Sequence, residues 1–134
     1  MIPKKIYQTW KTQNLPNNVT SLHEKMLKLN PGYEHIIYTD SQMNDYMNSN
    51  TDGDLKKMFF QLKNIVAKAD IWRYTILMNE GGIYLDIDSE IKKSLSQLIC
   101  ENDKAIITAE KISKSLMKNN EILNLLKKRN DIIF

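Results

Sequence analysis

The stretch from Ile65 to Glu90 constrains the fold most, because it predicts a helix, a double-glycine stop and a short apolar strand in succession. Apolar residues at spacings of four, three and four mark one helix face, and they are Ile65, Ala69, Trp72 and Ile76. Gly81 and Gly82 can take the positive φ angles that end a helix. The apolar run 83–85 then has the β-branched and aromatic residues of a buried strand.

A charged pair, Asp70 and Arg73, lies on this helix. Residues three apart are neighbours on one helix face, and the apolar Val66 and Leu77 bracket this pair. A solvated ion pair would not usually have such neighbours. Two interpretations follow: a structural ion pair that ties the helix to a loop, or a pair that contacts a ligand.

Two aspartates, Asp86 and Asp88, follow the predicted strand. Along a regular strand, residues two apart point to the same face, so these carboxylates would repel each other unless a cation or several donors held them. Mg²⁺ and Mn²⁺ take one or two carboxylates and fill their other positions with water and phosphate oxygens. Ligands of open α/β sheets bind outside the carboxyl ends of the strands. The pattern therefore predicts a site for a divalent metal and a phosphate-bearing ligand.

Strands and helices alternate along the rest of the chain. We predict strands at 5–10, 33–39 and 105–109, and helices at 19–29, 42–47, 54–62 and 115–129. Asp40 or Ser41 is the predicted cap of the second helix and Asp54 that of the third, and His23 is expected to face solvent. This alternation implies a Rossmann-like α/β fold, with a mostly parallel sheet flanked by helices, and the length of 134 residues predicts a single domain over 1–134.

Composition excludes several function classes. The net charge of +3 is spread over scattered lysines, which does not indicate a nucleic-acid partner. The single cysteine, Cys100, rules out an internal disulfide framework and fits a reducing compartment. No apolar run approaches the ~20 residues of a spanning helix, and the start of the chain lacks the apolar stretch of a signal peptide. We expect a cytoplasmic protein, or one in peripheral contact with the cytoplasmic face of a membrane.

Two motifs carry a family resemblance: A-D-x-x-R-Y at 69–74 and G-G-x-Y-x-D-x-D at 81–88. In this order they resemble the sugar-nucleotide glycosyltransferases of GT-A type with a DXD motif. The chain is most similar to the group that contains the yeast-type initiating mannosyltransferases and the bacterial capsule or surface-polysaccharide transferases. Residues 2–10 are similar to that group's opening I-P-K-x-I-H-Q-x-W, with Tyr7 where the family often has histidine, and 30–34 to its N-P-x-Y/W-E. The resemblance covers roughly residues 2–90.

The resemblance implies transfer of a sugar from a nucleoside diphosphate sugar to a hydroxyl of a glycan or polysaccharide acceptor, with Mn²⁺ or Mg²⁺ as cofactor. It makes Asp88 the direct metal ligand, while Asp86 binds ribose or sugar hydroxyls and reaches the metal through water. It assigns Asp70 to sugar hydroxyls and Arg73 to the donor sugar or diphosphate, so that Asp86, Asp88 and Arg73 are the catalytic candidates. Trp10 matches the aromatic residue that stacks on the base, although an isolated tryptophan can equally fill core.

Other interpretations stay open. The family continues much further beyond its DXD motif than this chain, which is short at its C-terminus, so a non-catalytic nucleotide-sugar-binding half-domain is one alternative. A haloacid-dehalogenase-type phosphatase is weaker, because Glu90 stands where that class needs threonine and because Asp70 and Arg73 would have no role. We also expect self-association, since a sheet edge after Ala109 and the apolar residues 132–134 would be exposed.

Overall fold

The computed structural model describes residues 1–106 of the chain. Of these, Ile2–Leu98 form one compact unit that holds all the described helices and strands. In chain order these are β1 (Lys5–Trp10), α1 (Asn17–Leu29), β2 (Glu34–Thr39), α2 (Asp40–Asn50), α3 (Gly53–Gln61), α4 (Ile65–Glu80), β3 (Ile83–Tyr84) and α5 (Leu95–Leu98). The predicted helix over 115–129, and all but two residues of the predicted strand at 105–109, lie outside the described residues.

The three strands form one parallel sheet in the order β2-β1-β3. β1 is central: its residues pair with β2 from Lys5 opposite Glu34 to Trp10 opposite Thr39, and Tyr7 pairs with Tyr84 of β3. Because the strands run in the same direction, their carboxyl ends meet at one edge of the sheet. The predicted α/β class with a parallel sheet is confirmed.

Helices cover both faces of the sheet. Tyr7 of β1 is buried in a cluster contributed by α2, α3 and α4, whose members are Met43, Met47, Phe59, Trp72 and Ile76. Its neighbour Gln8 points to the opposite face, as alternation along a strand requires, and there it contacts His23 of α1. The core therefore has one large layer against α2–α4 and a smaller one beneath α1.

Two predicted helix caps are wrong by one or two residues. Helix α2 begins at Asp40, and its N-cap is Thr39, which accepts a hydrogen bond from the backbone of Gln42, while the Gln42 side chain accepts one from the backbone of Thr39. This reciprocal capping box uses the extended backbone of the last strand residue, which neither Asp40 nor Ser41 has. Helix α3 starts at Gly53 after Asp52, so Asp54 lies in its first turn.

The double-glycine stop is confirmed at the end of α4. Gly81 and Gly82 have φ angles of 66° and 97°, in the region that favours glycine. A Cβ on Gly82 would lie 2.8 Å from Cε2 of Tyr7 and 2.9 Å from the carbonyl oxygen of Lys5. Glycine at this position therefore lets the chain reverse and approach β1 closely enough for β3 to pair with it.

The remaining described residues, Met1 and 99–106, belong to a second unit. Within it, the backbone N–H of Cys100 donates to Oδ2 of Asp103 over 2.7 Å. The longest described helix, α4, has 16 residues, and none of the helices in the described part of the chain combines the length and hydropathy that crossing a bilayer demands.

Candidate functional site

The two aspartates lie on a turn at the carboxyl edge of the sheet. β3 ends at Tyr84, and the N–H of Leu85 still donates to the carbonyl of Tyr7 over 3.1 Å. The N–H of Ser89 then donates to the carbonyl of Asp86 over 3.0 Å, which closes a four-residue turn. The predicted reason for grouping the carboxylates, alternation along a strand, is therefore wrong, because the strand ends before the first aspartate.

One apolar residue anchors this turn, which we call the aspartate turn (Asp86–Ser89). Ile87 is 7% exposed, whereas the side chains of Asp86 and Asp88 are exposed on either side of it. Burying Ile87 stabilises the turn against the body of the molecule. Both carboxylates thus reach solvent from a backbone that is held in place.

Arg73 joins helix α4 to the aspartate turn. Its guanidinium Nη2 contacts Oδ1 of Asp70 on the same helix, and its Nη1 lies 3.8 Å from Oδ1 of Asp86. The guanidinium carbon lies 4.6 Å from the centroid of the Tyr84 ring, a cation–π arrangement. The structure therefore brings Asp70, Arg73 and Asp86 together, as both interpretations of the charged pair require.

Tyr84 is a member of this cluster that the sequence pattern placed only in a strand. Its hydroxyl donates to Oδ1 of Asp86 over 3.0 Å and lies 3.5 Å from Oγ1 of Thr9. Burial, assisted by the neighbouring Asp86 carboxylate, raises the pKa of Tyr84, so the phenol keeps its proton and donates at neutral pH. The signal in the sequence was its position two residues before Asp86, within the motif at 81–88.

The surroundings of Asp70 differ from the prediction. Val66 is 63% exposed, and about half of the Asp70 side chain is exposed, so apolar neighbours do not enclose the pair. The buried face of α4 is formed instead by Trp72, Thr75 and Ile76. Asp70 consequently stands at the rim of the site, where solvent reaches it.

Trp10 lies at the same edge of the sheet, as the last residue of β1. It is half-buried, and its indole Nε1 is buried without a hydrogen-bond partner in the described part of the chain. Within that part, Trp10 takes no part in the hydrogen bonds and ion pairs that join Asp70, Arg73, Tyr84 and Asp86. Its position fits both the stacking and the core interpretation.

A buried polar group lies beneath the turn, on the α1 face of the sheet. Nδ1 of His23 is 3.1 Å from Oε1 of Gln8, and the rings of His23 and His35 meet edge to face with centroids 5.2 Å apart. Burial lowers the pKa of both histidines, and together with the neighbouring His23 it lowers that of His35 to about 4. The expectation that His23 faces solvent is wrong, because Gln8 provides a polar partner inside the sheet.

The carboxylates of Asp86 and Asp88 fit a hard divalent cation that keeps other ligands. Among the described residues, no group of three or more His, Cys, Asp or Glu side chains converges, so an all-protein metal cage is not formed there. Two carboxylates on one turn suit Mg²⁺ or Mn²⁺, which complete their shells with water and phosphate oxygens. Because Asp86 already pairs with Tyr84 and Arg73, Asp88 is the residue better suited to direct ligation.

A concave region of about 420 Å³ lies elsewhere, between β2 and α2. Its lining includes Ile36, Tyr38, Gln42, Asp45, Tyr46 and Asn50. None of the predicted site residues contributes to it, so it is separate from the aspartate turn.

Comparison with known proteins gives one family and several relatives. A family model described as "Glycosyltransferase sugar-binding region containing DXD motif" matches residues 16–105. The chain is 36% identical over 98 residues to inositol phosphoceramide mannosyltransferase 3 of Schizosaccharomyces pombe, an alignment that covers 73% of this chain and 27% of the relative. It is 33% identical over 99 residues to mannosyl phosphorylinositol ceramide synthase of Saccharomyces cerevisiae, covering 74% and 26%.

A third relative is the initiation-specific alpha-1,6-mannosyltransferase of Candida albicans, 30% identical over 108 residues, covering 75% of this chain and 28% of that one. The chain thus spans about a quarter of the length of each of these three relatives. No solved structure matches it significantly.

Proposed function

Because the chain belongs to the family of glycosyltransferase sugar-binding regions that contain a DXD motif, we propose that it binds a nucleoside diphosphate sugar at the aspartate turn and transfers the sugar to a hydroxyl acceptor. The observation that carries this proposal is the position of Arg73. Its guanidinium lies between Asp70 and Asp86 and over Tyr84, beside the turn that bears Asp88. The positive guanidinium and several carboxylates therefore lie together at the carboxyl edge of the sheet, where ligands of such folds bind.

The charge of this edge supports a metal requirement. Asp70, Asp86 and Asp88 contribute three negative charges against the single positive charge of Arg73, a formal sum of −2. A diphosphate is itself an anion and would be repelled from such a surface. A divalent cation held by Asp88 would offset the negative charge of the sheet edge and that of the bound diphosphate. It would also stabilise the negative charge that develops on the departing diphosphate.

The contacts within the cluster suggest a division of roles. Tyr84 and Arg73 hold one carboxylate oxygen of Asp86, which leaves the other for ribose or sugar hydroxyls, or for water on the cation. Asp70, half exposed at the rim, is suited to accept hydrogen bonds from hydroxyls of the donor sugar. The Arg73 fork stays charged at any relevant pH and can turn towards the sugar or the diphosphate.

The relatives suggest the sugar and the class of acceptor. The names of all three contain the word mannosyl, and two of them also name inositol phosphoceramide or phosphorylinositol ceramide. We therefore place mannose first among the donor sugars, and glycan or inositol-lipid hydroxyls first among the acceptors. Trp10, at the carboxyl end of β1, is the candidate for stacking on the nucleotide base.

An activity assay tests this proposal. The chain is incubated with a panel of GDP and UDP sugars, with Mn²⁺ or with EDTA, and both nucleoside diphosphate release and transfer to mannosides, oligosaccharides and inositol phospholipids are measured. We expect release to require the metal and to fall at least about tenfold in Asp88→Asn. Asp45→Asn, which changes an exposed carboxylate on α2, is the matched control and should retain activity.

Each other outcome selects another interpretation. Metal-dependent binding of the donor without release or transfer would contradict the transferase and support the non-catalytic half-domain. Hydrolysis of p-nitrophenyl phosphate would favour the phosphatase. A chain that neither binds nor cleaves any sugar nucleotide would contradict the donor-binding role altogether.

A further inference from the structure

Gln8 is buried at the centre of the sheet, where a polar side chain needs partners. It lies in the middle strand β1 and is 1% exposed. Burying an amide without hydrogen bonds costs about 1–3 kcal/mol in proteins. Both polar atoms of Gln8 have partners: Oε1 lies 3.1 Å from Nδ1 of His23, and Nε2 donates to the carbonyl of Asp86 over 3.4 Å. The side chain therefore links helix α1 to the aspartate turn.

The partner on the turn determines which way the amide of Gln8 points. A carbonyl oxygen can only accept, so the atom that faces the Asp86 carbonyl must be the amide nitrogen. The amide oxygen then faces His23, and because this oxygen also only accepts, Nδ1 of His23 must carry a hydrogen. His23 thus orients the amide that contacts the turn.

The carbonyl that Gln8 contacts is also the one that closes the turn. It accepts a hydrogen bond from the N–H of Ser89 over 3.0 Å in addition to the one from Gln8, and a carbonyl oxygen has two lone pairs for this purpose. Ile87 is buried between the two aspartates, so the turn is held by a side chain inside it and by a donor beneath it. The orientation of this peptide sets the directions in which the aspartate side chains leave the backbone.

We propose that Gln8 is a positioning residue for the aspartate turn: oriented by His23, its amide fixes the Asp86 peptide and thereby the placement of the Asp86 and Asp88 carboxylates. The fixing of the turn is a property of the free protein. Its consequence for ligand binding rests on the proposed function, because it requires that these carboxylates bind the metal and the donor.

Amide hydrogen exchange, measured by NMR on the free 134-residue chain, tests the positioning role directly. Gln8→Met keeps the length of the side chain and removes both hydrogen bonds. We expect exchange of the Ser89 amide to rise at least about fivefold relative to the amides of β1. The affinity for Mn²⁺ with GDP or UDP, measured by calorimetry, should fall by a similar factor.

Two further variants separate positioning from general loss of stability. Ile6→Val lies two residues away on the same face of β1, and its buried side chain makes no hydrogen bond. Ile6→Val should lower the free energy of unfolding by about 1 kcal/mol. It should therefore speed amide hydrogen exchange across the whole sheet, with no larger effect at Ser89 than elsewhere. His23→Phe retains a ring of similar size but removes the donor that orients Gln8, so we expect a smaller selective rise at Ser89, about twofold.

The outcomes distinguish this proposal from the proposed function. The quantity to compare is the exchange rate of the Ser89 amide relative to the rates of the β1 amides. If Gln8→Met and His23→Phe raise this ratio no more than Ile6→Val does, Gln8 has no positioning role. If Gln8→Met does not fold, His23→Phe alone decides, with selective exchange at Ser89 supporting the role and uniform exchange overturning it. If exchange at Ser89 rises selectively but the wild-type chain binds no nucleoside diphosphate, the positioning role stands and the proposed function fails.

Discussion

At the scale of single residues, Arg73 connects two elements through one planar group. It pairs with Asp70 on its own helix and with Asp86 on the aspartate turn, and it lies over the ring of Tyr84. A guanidinium can do all of this at once because it offers donors in several directions and an aromatic-like face. A lysine ammonium, which is a compact point charge, could not reproduce these contacts. Arg73 therefore holds the turn beside α4 before any ligand binds.

Tyr84 gives the first prediction at this scale. Tyr84→Phe removes the hydroxyl that donates to Asp86 but keeps the ring beneath Arg73. A hydrogen bond to a carboxylate at a partly exposed site contributes about 1 kcal/mol, so calorimetry should show about fivefold weaker binding of Mn²⁺ with a nucleoside diphosphate. The thermal midpoint should change little.

Tyr33→Phe is the matched control for this variant. Tyr33 precedes β2 at the opposite edge of the sheet. The Tyr33→Phe chain should therefore bind the nucleoside diphosphate as tightly as the wild type does. Equal affinities in the two variants would show that the Tyr84 hydroxyl does not orient Asp86.

At the scale of secondary structure, the reversal after α4 depends on Gly82. Gly82→Ala would force a positive φ of 97° on a residue with a Cβ and would bring that Cβ to 2.8 Å from Tyr7 and 2.9 Å from the backbone of Lys5. Backbone strain and overpacking together should cost about 3 kcal/mol, because β3 could no longer approach β1. Urea denaturation measures this loss.

Gly32→Ala provides the comparison for that experiment. A Cβ at Gly32 would meet no atom within 4 Å, and the φ angle there is not positive. Its free energy of unfolding should stay within about 0.5 kcal/mol of the wild type. Similar losses of unfolding free energy in the two variants would show that the close approach of the chain to β1 does not depend on glycine at position 82.

The packing of α1 on β2 predicts a pH dependence of stability. His35 has a pKa of about 4 in the folded chain against an ordinary value of 6.5, mainly because it is buried. Between pH 4 and pH 6.5 the unfolded chain binds more protons at His35 than the folded chain does. The contribution of neutral His35 to stability is therefore complete above about pH 6.5 and is lost progressively as the pH falls to about 4. The loss should be about 2 kcal/mol for a half-buried ring.

His35→Phe tests the source of that dependence. The ring nitrogens of His35 are buried without hydrogen-bond partners in the described part of the chain, so phenylalanine sacrifices no hydrogen bond there. Unfolding in urea from pH 8 to pH 4 should show a shallower decline for the variant than for the wild type. Identical declines would assign the acid sensitivity to other groups.

At the scale of the whole molecule, the sheet could be predicted but not the way in which its side chains meet. Runs such as 5–10 and 34–39 are β-branched and aromatic enough to identify parallel strands, and Gly81 marked the end of α4. The turn at Asp86 was not predicted, because the end of a strand depends on its partner and β1 pairs with β3 over two residues only. The contact between Gln8 and His23 was missed for a similar reason: it joins residues 15 positions apart, and only packing brings them together.

The central claim is that the aspartate turn binds the donor diphosphate through a divalent cation. Asp86 and Asp88 stand exposed on one turn beside Arg73, at an edge whose summed charge is negative. Asp88→Asn keeps the size of the side chain and relieves repulsion between neighbouring carboxylates, so the fold should be retained or slightly stabilised.

The most direct test is titration calorimetry of GDP and UDP into wild-type chain and Asp88→Asn, each with Mn²⁺ and each with EDTA. We predict that at least one nucleotide binds the wild type at least about tenfold more tightly with Mn²⁺ than with EDTA, a difference of about 1.4 kcal/mol, and that Asp88→Asn loses this difference while its thermal midpoint holds. Equal affinity with and without metal in the wild type, or an undiminished metal effect in Asp88→Asn, would contradict the claim.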